Sequence, residues 1–336
     1  MTTYYGLYGQ KVQYLASDPS DPQLGQVWYN STSAVLKVRQ LATVNAWASG
    51  GALGTARYTL SGTGTQTAAL GFGGYVQPGT YSSSTEKYNG TSWTANPTGL
   101  ATARGYNGQA GTQTATLTFG GSTSPAPYGV TNVESFDGTT WTSSTSLPAA
   151  RSGCGSCGTQ TAALNFAGFN GPVVYSNVTE SWNGTSWTAG GNMSTSRVFL
   201  GGGAGTNTAA LGFGGYLTPA AHTNSSESYN GTSWTSTPNL NTGRSRLAGF
   251  GATNTAAVAA GGTAAPGNTN SAATELYNGT SWTTNPNSMA TARRFLGGNG
   301  TQTAGLVFGG APPTSGVTTT EEWTGIEAQN KTVTVT

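Results

Sequence analysis

Apolar and polar side chains alternate along Ala115-Thr116-Leu117-Thr118-Phe119, and the alternation stops at Gly120-Gly121. A period of two over this length predicts a half-buried strand closed by a turn. The residues before it, Gly105 to Gly111, are small, and Thr112-Gln113 makes a tight turn between the two segments. A long loop from Ser122 to Asn132 follows, then a strand-like run from Val133 to Phe136, a turn at Asp137-Gly138-Thr139, and Trp141. The segment therefore reads as four antiparallel strands. The same order of features recurs six times between about residue 43 and residue 325. Its double glycine returns at Gly73-Gly74, Gly120-Gly121, Gly214-Gly215, Gly261-Gly262 and Gly309-Gly310, with Ala167-Gly168 as a variant. Its third-strand aromatic returns at Tyr88, Phe136, Trp182, Tyr229, Tyr277 and Trp323. Its tryptophan returns at Trp47, Trp93, Trp141, Trp187, Trp234 and Trp282, 46 to 48 residues apart.

A repeat of that length with strand content marks a radial β array. One such unit cannot bury its apolar face alone and must stack on its neighbours. The expected fold is all-β, a propeller of six blades with a small N-terminal β-hairpin and arm. Small first-strand residues suit the crowded axis, and aromatic side chains fill the wider outer part of each blade. The order of double glycine, third-strand aromatic, fourth-strand tryptophan and an arginine before the next blade resembles the kelch repeat, over roughly 280 residues. The Trp-Asp dipeptide of WD-repeat blades is absent. The Phe-Gly-Gly and Tyr-Asn-Gly-Thr-Ser-Trp wording is similar to kelch-like virion structural or tail-fibre proteins of bacteriophages, of the marine cyanophage kind. That resemblance implies a non-enzymatic virion protein, tail- or fibre-associated, that recognises a host surface. A capsid decoration or vertex role is the alternative within the same class.

Phase along the chain bears on ring closure. Trp47 is a fourth-strand tryptophan with no blade of its own, and the last repeat reaches Trp323-Thr324-Gly325 without a matching tryptophan. The simplest closure has the Trp47 strand complete the sixth blade. The competing strand is the alternating tail Lys331-Thr332-Val333-Thr334-Val335, which otherwise adds a further strand or meets a neighbour. The expected division is 1–42 as attachment arm and hairpin, 43–325 as propeller, and 326–336 as a β tail. Within the first part, Ser17-Asp18-Pro19-Ser20-Asp21-Pro22 is a stiff link. Gly25 to Thr32 followed by Ala34 to Val38 reads as a hairpin, which is marginal alone and packs on something else. Its wording is similar to short N-terminal modules of phage tail and fibre-like proteins. This implies that residues 1–42 contact other virion proteins and that the chain is oligomeric within the particle.

Charge is scarce: 7% of 336 residues, for a net charge of +2. A balance this close to neutral gives no footprint for nucleic acid or anionic membrane. Solubility rests on Ser, Thr, Asn and Gln, which suits a protein fixed in an assembly. The start Met1-Thr2-Thr3-Tyr4-Tyr5 lacks the basic-then-apolar plan of an export signal, and no apolar run reaches the ~18 residues of a membrane helix. Sequons such as Asn89-Gly90-Thr91 read as turns, since Asn-Gly is a strong hairpin signal.

Half of the charged side chains occupy two repeated positions. Arg57, Arg104, Arg151, Arg197, Arg244 and Arg293 open the first strands. Glu86, Glu134, Glu180, Glu227, Glu275 and Glu321 lie two residues before the third-strand aromatic. First and third strands flank the second and run the same way, so both sets lie toward one face. A structural ring of Arg–Glu pairs is expected to fix blade register. An arginine clamp for an anionic ligand, as in sialidases, is the other reading, but an arginine in every blade argues for scaffold.

Candidate chemistry is thin. His222 is the sole histidine, and no His/Cys/Asp/Glu set has metal spacing, so no metal, cofactor or catalytic residue is assigned. Kelch-type copper oxidases share this architecture but need paired histidines and a Tyr–Cys cross-link. The Ser135-to-Trp141 stretch departs from a sialidase Asp-box in its Asp–Gly spacing. A carbohydrate-active propeller enzyme would need paired carboxylates at the loop-face mouth, and the loops contain none. Cys154 and Cys157, three apart on an extended strand, point to opposite faces about 10 Å apart. That is beyond disulfide reach. The turns Gly-Thr-Gln-Thr and Asn-Gly-Thr-Ser make one smooth polar face. The loops joining second and third strands open on the other and carry Tyr75, Tyr81, Tyr128, Phe169, Tyr216 and His222. Rigid loops with aromatic side chains lose little entropy on contact, so this face is the candidate site for a host glycan or receptor.

Overall fold

A computed structural model describes residues 12–42, 45–123, 129–171, 174–217, 221–264, 267–312 and 315–333. Among the described residues there is no helix, and so none long and apolar enough to cross a membrane. The chain is all-β and propeller-like, and it separates into two compact units: 46–323, and 1–45 together with 324–336.

In the larger unit, six four-stranded sheets repeat one plan among the described residues. The second is typical: Gly108–Gly111, Thr116–Phe119, Val133–Phe136 and Trp141–Ser143 pair in chain order, each neighbour antiparallel. The first, third, fourth and fifth sheets span 61–95, 155–189, 201–237 and 248–285. The sixth takes Gly297–Gly300, Ala304–Phe308 and Thr320–Thr324 from one end of the unit and Ala46–Gly50, with Trp47, from the other. First strands are small because their space is already taken. A Cβ on Gly108 would meet the Phe119 ring of the next strand at 2.1 Å. The double glycine has a backbone reason as well. Gly120 lies at φ +63°, and a Cβ there would stand 2.5 Å from the Arg151 carbonyl of the following repeat.

The core lies between sheets. Phe119 and Leu117 of the second sheet cluster with Trp182 and Trp187 of the third, and each of six clusters draws on two successive sheets. The one that joins Leu306 and Phe308 to Tyr88 links the sixth sheet to the first. In the first five sheets the fourth-strand tryptophan stacks on its own sheet's aromatic and on the preceding sheet's phenylalanine, and in the sixth Trp47 stacks on Trp323. Trp93 lies 5.0 Å from Tyr88 and 4.7 Å from Phe308, and Trp141 lies 4.9 Å from Phe136 and 5.0 Å from Phe72. Full burial of such a ring is worth roughly 1.5–3 kcal/mol. The glutamines of the short turns reach back in the same direction. Gln113 donates to the Ala69 and Tyr88 carbonyls, Gln160 to Thr116 and Phe136, and Gln66 to Trp323. The expected smooth turn face therefore also ties neighbouring sheets together.

The smaller unit is a four-stranded sheet of Gln13–Leu15, Val27–Asn30, Val35–Ala42 and Glu327–Thr332. Its central pair, Val27–Asn30 against Val35–Val38, lies where the sequence predicts a hairpin. Asp18, in the stiff link, accepts hydrogen bonds from Trp28 Nε1, Asn30 Nδ2 and Lys37 Nζ at 3.1, 2.7 and 2.8 Å. The C-terminal tail pairs here, beside Val35–Ala42. Most of the leading arm, residues 1–11, lies outside the described residues.

Candidate functional site: an aromatic mouth on the loop face

The repeated arginines and glutamates form one ion pair per sheet. Arg57–Glu86, Arg104–Glu134, Arg197–Glu227, Arg244–Glu275 and Arg293–Glu321 lie at 2.5 to 2.8 Å, all buried. The other carboxylate oxygen accepts a backbone N–H, from Gly54, Ala101, Ser194, Asn241 and Ala290 respectively. The arginine backbone faces the other way. Its carbonyl accepts the N–H of the second residue of the preceding repeat's double-glycine position, from Gly74–Arg104 round to Gly310–Arg57. Each arginine thus joins its own sheet by the guanidinium and the preceding one by its carbonyl. Burial pushes the Arg57, Arg104, Arg197, Arg244 and Arg293 pKa values down, and the glutamates oppose this. The third sheet departs from the rule. Arg151 stands 3.6 Å from Glu180 and donates to Ser176 Oγ, while Asn165 Nδ2 donates to Glu180 at 2.9 Å.

Two residues after each arginine, the backbone turns left-handed. Thr59, Tyr106, Gly153, Phe199, Arg246 and Phe295 have φ between 54° and 60°. Their N–H groups form a cycle: Tyr106 donates to the Thr59 carbonyl, Gly153 to Tyr106, Phe199 to Gly153, Arg246 to Phe199, Phe295 to Arg246, and Thr59 to Phe295. The cycle fixes six side-chain origins side by side. Tyr106, Phe199 and Phe295 contact one another at 5.3 to 5.4 Å between ring centroids. The Arg246 guanidinium lies over Phe199, Phe295 and Tyr216 at 5.3, 5.2 and 5.4 Å. Burial lowers its pKa, and neighbouring Arg294 adds to that shift. Neither Arg246 nor Arg294 has a carboxylate partner among the described residues. Burial raises the Tyr106 phenol above its ordinary value.

The loop residues singled out on the sequence gather at this cycle. The residue after each arginine pairs with the start of a loop between second and third strands, as at Tyr58–Tyr75, Ser152–Phe169 and Val198–Tyr216. Tyr75–Val76 and Thr80–Tyr81 form a short ribbon, as do Tyr216–Leu217 and Ala221–His222. Ring contacts run from Tyr81 through Tyr75 and Tyr58 to Phe295, and from Phe199 through Phe169 to Tyr175. His222 packs on Tyr216 and bridges Ser245 Oγ at 3.0 Å and Asn268 Oδ1 at 2.7 Å. Burial lowers its pKa and favours the neutral ring. These rings are half-buried rather than fully exposed. Tyr128 lies outside the described residues.

Sequence reasoning missed Tyr58, Tyr106, Tyr175, Phe199, Arg246, Arg294 and Phe295. A signal existed: the position two after the repeated arginine carries five different residue types in six repeats. Beneath the rings lies a cavity of about 90 Å³, bordered by Thr59, Asn107 and Arg246 as well as by the leucines that precede four of the first strands. Thr59 Oγ1 and Arg246 Nε are buried without a hydrogen-bond partner, and so are both Asn107 amide atoms, which lie between the double glycines of the first and second sheets. Among the described residues no group of three or more His, Cys, Asp or Glu could hold a metal. Cys154 and Cys157 are both reduced. They join different inter-sheet clusters, and burial pushes both thiols up to about 12. Scans against protein-family models and against curated proteins found no match.

Proposed function

We propose that residues 46–323 form a closed six-bladed kelch-like propeller, and that the protein is a non-enzymatic binding component of a bacteriophage virion, tail- or fibre-associated, that attaches to a host surface through its loop face. The cyclic pattern of contacts supports closure: Gly310 to Arg57, Gln66 to Trp323 and Trp93 on Phe308 repeat at the last junction what the other junctions do. The observation that carries the binding reading is the gathering of Tyr75, Tyr81, Phe169, Tyr216 and His222 with Tyr106, Phe199, Phe295 and Arg246 around one mouth. Rigid aromatic side chains offer large contact area at small entropy cost. A binder is favoured over a carbohydrate-active enzyme because the six repeated glutamates are committed to arginines, leaving the mouth with cations and phenols. The small sheet built from 13–42 and 327–332 is the proposed anchoring part, oligomeric within the particle.

The test is attachment of the labelled full chain to whole bacterial cells of the host. The variant carrying Tyr81→Ala, Phe169→Ala and Tyr216→Ala is expected to keep its thermal transition and lose at least about 90% of attachment, since clustered aromatic anchors dominate interface energy. Undiminished attachment by a folded triple variant would sink the loop-face assignment.

A further inference from the structure

We propose that the axial mouth takes the carboxylate-bearing end sugar of an acidic saccharide. The proposal rests on the loop face being the binding face, and it adds the charge and chemical class of the ligand.

Charge is the first argument. In unit 46–323 the six repeated arginines neutralise the six repeated glutamates. Lys87 donates to the Gly138 carbonyl, at the turn that holds Asp137, and Glu322 accepts from the Tyr88 hydroxyl. The cations left over are Arg246 and Arg294, close enough for each to repel the other's charge, and both touch the Phe295 ring. A pair of like charges at one mouth is stabilised by an anion that lies near both.

The second argument is geometry. Three rings turn their faces to the Arg246 guanidinium, whose N–H donors meet no carboxylate among the described residues. The edge of a guanidinium matches a carboxylate in two parallel bonds. The Nε of each of these arginines is buried without a partner. The cavity below has room for about three waters' worth of volume. It fits a substituent rather than a whole sugar, and the hydroxyl of bordering Thr59 also lacks a partner.

The third argument separates sugar from protein. A pyranose presents a face of C–H bonds with partial positive charge, which suits the negative face of an aromatic ring. The rings here are recessed and half-buried. Among the described residues, Val174 is the one strongly exposed large apolar side chain in a loop between second and third strands. A protein partner would need about 800 Å² per side with apolar anchors that protrude or a broad apolar floor. A recessed polar-rimmed cluster fits a single ring.

The experiment is a ligand-observed NMR titration of the full chain with a hexuronate-ended disaccharide and with the same disaccharide after reduction of its carboxylate to the alcohol. The acid is expected to bind at least about tenfold tighter, as a bidentate charged pair provides, with the preference shrinking as salt rises. Arg246→Thr should abolish the preference. Threonine already occupies the same position of the cycle at Thr59, so the variant retains the backbone geometry. Equal binding of acid and alcohol, or a preference that survives both Arg246→Thr and Arg294→Gln, would overturn the proposal while leaving loop-face attachment intact. Arginine-dependent binding of polyglutamate with neither disaccharide bound would reassign the mouth to acidic peptides. Failure of both sugars to bind a chain that still attaches to cells through Tyr81, Phe169 and Tyr216 refutes the sugar alone. Loss of the loop dependence as well refutes the underlying reading.

Discussion

Two positions two residues apart in each repeat behave in opposite ways. The first is arginine six times, buried, and in five sheets bonded closely to its own glutamate. The second is Thr59, Tyr106, Gly153, Phe199, Arg246 and Phe295, all in one left-handed conformation but with six side chains of five kinds. Identical residues stand where the side chain sets geometry. A buried guanidinium must meet a fixed carboxylate and fixed carbonyls, so nothing else fits. At the second position the backbone alone does the structural work, through its cycle of N–H and C=O groups. The side chain there is released to vary, and variation concentrates the chemistry on one face. The strain of a left-handed non-glycine residue, about 1–3 kcal/mol each, is held by that cycle at a place where recognition benefits.

The largest effect that sharpens this contrast is expected at the arginines. Arg244→Met leaves Glu275 buried without its cation and should cost about 3–5 kcal/mol in denaturant unfolding. Arg151→Met should cost clearly less, because Asn165 continues to hold Glu180. Equal losses would remove the distinction between the third sheet and the others. A second probe uses Cys154, next to the axial Gly153, and Cys157. Their folded pKa of about 12 exceeds the ordinary thiol value of about 8.5. A raised pKa contributes stability that is complete below about pH 8.5 and is lost as pH climbs toward 12. The unfolding midpoint should therefore fall over that window. A thiol reagent at pH 8 should label the denatured chain and spare the native one, and fast native labelling would contradict the burial. The smallest effect is expected at the axis. Tyr106→Gly relieves left-handed strain while giving up ring contacts worth about 0.5–1.5 kcal/mol, so stability should move by less than about 1 kcal/mol. A loss above about 3 kcal/mol would place the axial side chains in the scaffold.

The scaffold was legible because its physics repeats. Double glycines, glutamates, arginines and tryptophans each answer a local demand that recurs at fixed spacing, so strand positions and the Arg–Glu pairing could be read from the chain. The site was legible only in part. Tyr75, Tyr81, Phe169, Tyr216 and His222 announced themselves as aromatic residues in variable loops. Tyr106, Phe199, Arg246 and Phe295 did not, because a left-handed turn filled by non-glycine residues carries no propensity signal. Their convergence depends on a hydrogen-bond cycle among residues about 47 apart in sequence. Finer coupling was equally hidden. Trp93, Trp141 and Trp234 donate to Thr320, Thr85 and Thr179 of the preceding sheet, whereas Trp282 Nε1, opposite Ser226, is buried and unbonded.

The sixth sheet sets a schedule for synthesis. Its Trp47 strand leaves the ribosome early, and the strand beside which it belongs, Thr320–Thr324, follows about 270 residues later. At about 5–20 residues per second that is a wait of roughly 15 to 50 s. Throughout the interval one strand edge and one indole stay without their final neighbours, so a chain arrested late in translation carries five sheets and an adhesive orphan.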